Sequence, residues 1–531
     1  MKLDRCTTFS KHVFICSSDT ETGAYYFKGY CFIGRDFIFD LQGAQEFLKQ
    51  TGRFIKEGQD GCYVSMIFGS DGKYRFHTDY AGNKKLFYYW ERGFWAVSNS
   101  FSQLLHKLKC IGKHVTPNLS MLKTIPLDGT VLSQLYSFDT ACNEIKLVPA
   151  GLILAVNNES ISIEEGTHKQ ITVSNYSQGI KEFVDLWRGR FLTLLDYSEV
   201  FLESALTGGL DSRAVFSIIA PLLKYHNIRI HCGSIRGDQV DLLIAGRICR
   251  DFGIDINTDR PRGLPINSAY DSYQSWKDIS LGVYHPIYFS YFYPSLRTIT
   301  VGGGGGENHR AFYRQKNLWD FIMSTAKKIN DEYDKDQFIR MISSAFSFKE
   351  INSSKLDPLI WHYRNFRNRL HSGRGCEYHV HLQPLSSGML DGITSLLTRN
   401  ALRRGQINYD IISVSCPKLL EYPFDSEEKS MNVDIKNSLV KYDGSFSDEA
   451  GIIYGQFDYF QTAGVHESQT RLDLLKDELL LASKQPVVND IFSSEFIEKQ
   501  FIKIDRAIHN KKFNHATDGK SIAAILTAGL F

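Results

Sequence analysis

The chain has 531 residues, 43% of them hydrophobic and 23% charged, with a formal net charge of +2. This is ordinary globular composition, enough for about two to four domains that each bury a core. The near balance of 61 basic and 59 acidic residues asks for neither nucleic acid nor an anionic membrane as partner.

No stretch reaches the roughly 18 apolar residues of a membrane span. The opening MKLDRCTTFS has no apolar core behind a charged start, so the cytoplasm is the default compartment. The 10 cysteines include no CxxC pair, which argues against a zinc ribbon and for buried thiols.

In chain order, residues 1 to about 165 read as mostly β with one or two helices. Apolar runs at 25–32, 62–68, 87–89 and 94–97 are separated by turn clusters at 70–72 and 81–83. Pro149-Ala150-Gly151 leads into a strand over 152–156. The polar stretch 157–178 reads as a surface connection, dividing a domain over 1–170 from one over 171–531. Beyond it the pattern alternates: helix 179–195, strand 200–206, helix 213–225, strand 228–232, helix 241–252 and strand 296–301. Such alternation predicts an α/β domain with a parallel sheet between helices, whose ligands bind outside the carboxyl ends of the strands. The remainder, including 474–481, reads as mainly helical. The stretch 361–369 mixes aromatics with Arg364, Arg367 and Arg369 and reads as an amphipathic helix face.

Two glycine turns carry the chemistry. In the first, Leu206-Thr207-Gly208-Gly209-Leu210-Asp211-Ser212 runs from a strand into a helix. Small residues let the backbone approach a ligand, and N–H groups at a helix start favour phosphate. Thr207 and Ser212 add hydroxyls. Asp211 would repel phosphate unless a cation lies between them, which points to magnesium. The pattern fits neither GxxxxGK[ST] nor GxGxxG. The second turn is a run of five glycines, 302–306, followed by Glu307-Asn308-His309-Arg310. Coming straight after an apolar strand, it reads as an anion cradle with Glu307 as a second acid for the metal. Arg310 could grip a carboxylate or phosphate or lie on the surface. His309 could be a general base or a surface residue opening a helix.

The first turn resembles the SGGxDS loop of ATP pyrophosphatases, with Thr207 in place of the first Ser. The segment 302–313 resembles the SGEGADELFGGY loop of the asparagine synthetase and β-lactam synthetase family. Three stretches in the first domain are also similar to that family: 77–89 to RDxxGxxPLYY, 94–100 to LxFASE and 145–151 to IxxLPPG. Gln383-Pro384-Leu385 is a weaker match to PFLD.

The resemblance implies a degenerate Ntn-hydrolase-like αββα domain followed by a PP-loop domain with a helical C-terminal part. It implies an ATP-dependent, AMP-forming carbon–nitrogen ligase that joins a small-molecule carboxylate to an amine or ammonia. It would place ATP on Leu206, Thr207, Gly208, Gly209, Asp211, Ser212, Ser234, Gly303, Gly304 and Gly305, magnesium on Asp211 and Glu307, and make Asp211, Glu307 and Arg310 the catalytic groups. The family's glutaminase needs Cys as first residue; here Met1 opens the chain and Cys6 would need five residues clipped. The first domain is therefore expected to be a fold remnant. The family's Glu is replaced by Gly304, so the acceptor is not expected to be bound as aspartate is. Lys429, Lys441, Arg364 and Arg367 are candidates for the family's C-terminal cation. Rival readings are a PP-loop ATPase acting on tRNA and a catalytically impaired nucleotide-binding scaffold. Oligomeric state is not legible, with a homodimer left open.

Overall fold

The computed structural model describes residues 13–20, 23–166, 173–233, 239–259, 268–290, 298–351, 356–456, 469–510 and 512–531. The expected α/β class holds, with antiparallel sheets in the first part and a parallel sheet in the second. Among these residues no helix is long and apolar enough to cross a membrane.

The first part is a sandwich of two antiparallel sheets. The larger runs Ile161–Glu165, Leu152–Val156, Tyr74–Thr78, Asp60–Phe68, Tyr25–Ile33, Asp36–Phe39, and ends on Ile453–Tyr454, a late segment that pairs in parallel. The smaller runs Ile15–Ser17, Phe94–Ser98, Phe87–Glu91, Lys146–Leu147. Strand alternation sorts the side chains. Val64 and Met66 join Phe76, Trp95 and Val97 between the sheets, while Tyr63 turns outward onto the helix Asp40–Thr51. On the other side the helix Phe101–Cys110 packs Phe101 against Phe87. The order of layers is helix, sheet, sheet, helix.

The stretch 157–178 is more than a surface connection. Ile161–Glu165 forms a hairpin with Leu152–Val156, pairing Ile163 with Leu154. The Ile-Ser-Ile alternation carries that strand, although the polar residues around it outweigh the signal in composition.

The second part is built on a parallel sheet ordered Arg229–His231, Phe201–Ala205, Thr298–Val301, His381–Leu382. Tyr176–Leu195 and Leu210–Ile219 are helices packed on it. The second helix stops earlier than its apolar pattern suggests. Pro221, which lacks an N–H, sits in a 3-10 turn over Ala220–Leu222.

The arginine-rich stretch is not an amphipathic surface helix. Pro358–His362 is an α-helix that runs into a π-helix over Tyr363–Ser372. Arg369 is fully buried and donates to Gly82 O at 2.7 Å and Val148 O at 2.9 Å. Arg364 pairs with Asp391 and stacks over Tyr80 at 4.0 Å. These arginines bind the two parts of the chain together; charge in the sequence concealed their burial.

Glu377 does the same. It pairs with Lys84 at 3.5 Å and with Lys85, and accepts from Asn99. Burial pushes its carboxyl up, but the two lysines more than offset this and leave it below 4.5. Its contribution to stability is thus fully present above 4.5 and lost below it, as pH falls through the lowered value. Glu377→Leu strands two ammonium groups in the core and should destabilise the chain by about 3–5 kcal/mol in urea denaturation.

Candidate active site

Strands Phe201–Ala205 and Thr298–Val301 are adjacent and parallel, so the 207–212 and 302–310 turns leave the sheet at the same edge. Leu206 is buried and its N–H donates to His231 O. The first turn is internally bonded. Thr207 Oγ1 and Ser212 Oγ lie 2.8 Å apart, Gly209 N–H donates to Thr207 Oγ1 at 3.0 Å, and Gly208 N–H donates to Asp241 Oδ1 at 2.8 Å. The helix Leu210–Ile219 starts after Gly209 with no side chain capping it. Its first N–H groups therefore present the partial positive charge that suits an anion.

The glycine run packs against that helix start. A Cβ on Gly303 would lie 2.6 Å from Ser212 N, and one on Gly306 would lie 2.4 Å from the Asp211 carboxyl. Gly305 has φ +93 and faces Ser386 and Leu385, while Gly304 faces Gln383. Close backbone packing thus accounts for glycine at these positions.

That contact gathers three of the expected residues. Arg310 Nη2 lies 2.7 Å from Asp211 Oδ2 and 3.9 Å from Glu307 Oε1. Asn408 Nδ2 donates to Asp211 Oδ1 at 2.6 Å, and Tyr363 Oη donates to Glu307. Asp211 is pushed up to about 6, chiefly by burial; Arg310 opposes the rise, Glu307 adds to it and Lys429 opposes it. Among the described residues, no group of three or more His, Cys, Asp or Glu side chains is gathered as a metal site. The acids expected to hold magnesium meet on a guanidinium nitrogen instead. As arranged, the pair does not fit a bridging metal ion, and Arg310 carries the positive charge there.

His309 is neither on the surface nor free to act as a base. It is buried, its ring hydrogen-bonded to Thr394 Oγ1 at 2.6 Å and Leu385 O at 2.7 Å, and burial lowers its pKa. It anchors the turn that carries Arg310. Ser234 and Cys6 lie outside the described residues.

Several members of the site had no distinctive sequence signal. Arg213, fully buried, donates to Tyr422 O at 2.9 Å, Pro423 O at 2.6 Å and Gly208 O at 3.3 Å. It clamps the 417–425 segment onto the first turn. Asp425 N–H donates to Gly208 O at 3.1 Å, and Lys429 Nζ lies 2.7 Å from Asp425 Oδ2. Lys429 is thereby the one of the four candidate cations brought to the first turn. Arg364 is spent on Asp391, Arg367 donates to Gln134, and Lys441 is exposed. Asn408 and Tyr363 were also missed; each is a common residue whose role depends on a partner far away in sequence.

No family model matches the chain, and no curated protein matches it. The site is characterised by its own geometry.

Because Asp211 titrates near 6 rather than 3.8, its negative charge appears only as pH rises through about 6. That charge repels a phosphate at the helix start. Asp211→Asn should bind inorganic pyrophosphate about tenfold more tightly than the native chain at about pH 8, and equally at about pH 5. Equal calorimetric affinities at the higher pH would remove this electrostatic role.

Proposed function

We propose that the chain is an ATP-dependent carbon–nitrogen ligase of the asparagine synthetase type. The observation that carries the reading is the apposition of two glycine turns at adjoining parallel strand ends, with Asp211, Glu307 and Arg310 in one ion-paired cluster beside an uncapped helix start. An uncapped helix start at the carboxyl edge of a parallel sheet is a place for a nucleotide's phosphates.

In this reading the triphosphate lies against the start of the helix Leu210–Ile219, with Thr207 and Ser212 hydroxyls beside it. Arg310 faces the phosphates from its place between Asp211 and Glu307, and Lys429 from the side of the 417–425 segment. The acceptor carboxylate attacks the α-phosphorus, a new O–P bond forms, and pyrophosphate leaves. An amine then attacks the acyl carbon, losing a proton as AMP departs and the amide forms. Fixed positive groups stabilise the charge that builds on phosphorus, which is where most of the acceleration in such sites comes from.

A scaffold that binds nucleotide without turnover is the second reading. It is favoured by the N–H groups of Thr207, Gly208 and Gly209, which are already bonded to Ser212, Asp241 and Thr207. Release of AMP from ATP in the presence of candidate acids and ammonia separates the two. In a chain that turns over, Lys429→Met should cut ATP–pyrophosphate exchange by about 10²–10³-fold. Nucleotide binding with no exchange and no AMP under any acceptor would leave the scaffold.

A further inference from the structure

Immediately after the second turn the chain borders a hollow of about 480 Å³. The residues before the helix Leu318–Ala326 are held from behind. Arg399 donates to Tyr313 O at 3.1 Å and Gln315 O at 2.8 Å, and Arg403 donates to Arg314 O at 3.0 Å. With the backbone pinned this way, Arg314, Gln315 and the rings of Phe312 and Tyr313 line the hollow. Lys328 lines it as well, its ammonium donating to Asp128 O at 3.1 Å.

Ser324 Oγ accepts from Gln315 Nε2 at 3.2 Å and donates to Phe321 O at 2.8 Å, but other polar groups of the hollow have no partner. Arg314 and Lys328 are exposed, and among the described residues neither pairs with a carboxylate. Positive charge accumulates behind them: Lys520 is buried and pushed down to about 8 by that burial, with Lys328 and Arg367 lowering it further against Asp128. Tyr313 is only 6% exposed, and its hydroxyl is buried without a hydrogen-bond partner. Gln315 Oε1 is buried and unpartnered as well. Buried polar atoms are normally satisfied, so such a group beside a polar hollow calls for something that bonds to it. The hollow also adjoins the paired turns. Tyr363, which holds Glu307, has its ring 4.8 Å from Phe312 and 5.4 Å from Tyr313.

We propose that this hollow binds the acceptor, a small hydroxylated acid with two acidic groups. Arg314 and Lys328 anchor one acidic group, and a charged fork plus an ammonium suits a carboxylate. Tyr313, Gln315, Ser324 and Thr325, which also line the hollow, bond its hydroxyls. The apolar faces of Phe312 and Phe321 cover its carbon skeleton. The other acidic group is left to point past Tyr363 to the turns and react. The reacting role rests on the ligase reading above; the binding does not.

The test is calorimetric titration of the full chain with D-glucarate, a hydroxylated diacid, and with the neutral polyol D-glucitol. Glucarate should bind at least about tenfold more tightly, and Arg314→Gln and Lys328→Met should each weaken it by about tenfold while Lys328→Arg keeps it. Equal binding of acid and polyol, or glucarate binding indifferent to both substitutions, overturns the proposal. Parallel titrations with a fluorescent ATP report the turns separately. Nucleotide binding in a chain that shows no dependence of acid binding on Arg314 and Lys328 refutes the hollow and leaves the ligase reading. Acid binding that follows those two residues in a chain that binds no nucleotide supports the hollow and removes the ligase reading.

Discussion

Two backbone segments from neighbouring strands touch where no side chain could stand between them. Gly303 lies against Ser212 N, and Gly306 against the Asp211 carboxyl, each too near for even a methyl group. Everything chemical at this edge follows from that approach. It delivers Glu307 and Arg310 to Asp211, and it half-buries Asp211, which raises its pKa while the guanidinium keeps the charge tolerable. Any larger residue at either glycine would part the turns and scatter the cluster. The cost is a flexible unfolded chain, since glycine loses the most backbone freedom on folding.

The approach is held in place from both sides. On one side Arg213 donates to the carbonyls of the 417–425 segment and of Gly208, which ties the first turn to the segment that leads to Lys429. On the other, the first part of the chain supports the sheet. Tyr30 Oη donates to His381 O at 2.8 Å, and His381–Leu382 in turn accepts Gly302 N–H at 3.0 Å. The sandwich thus supports the second turn without lending it a reactive group. Buried cations recur as fasteners: Arg369 and Arg364 at the junction, Arg213 under the turn. A guanidinium suits this work because its five donors reach several carbonyls at once.

Much of the frame was legible because strands and helices announce themselves locally. The run 152–156 appears as the strand Leu152–Val156, and the two glycine turns fall at strand ends as their flanking apolar runs require. The failures were also local in cause. Polar neighbours hid the Ile161–Glu165 strand, and charge made the 361–369 stretch look exposed. A sequence pattern registers what a side chain is, whereas burial depends on which distant segment covers it.

The site divides along the same line. By itself the sequence determined that Thr207, Gly208, Gly209, Asp211 and Ser212 open a helix after a strand, and that a second glycine turn carries Glu307 and Arg310, because both are contiguous motifs. Only the tertiary structure decided that Arg310 stands between the two acids, that Asn408, Tyr363 and Lys429 join them, and that His309 is buried. The contacts of Tyr363 with Glu307 and of Asn408 with Asp211 reach across 56 and 197 residues. No periodicity or spacing rule reaches that far; only packing brings such residues into contact.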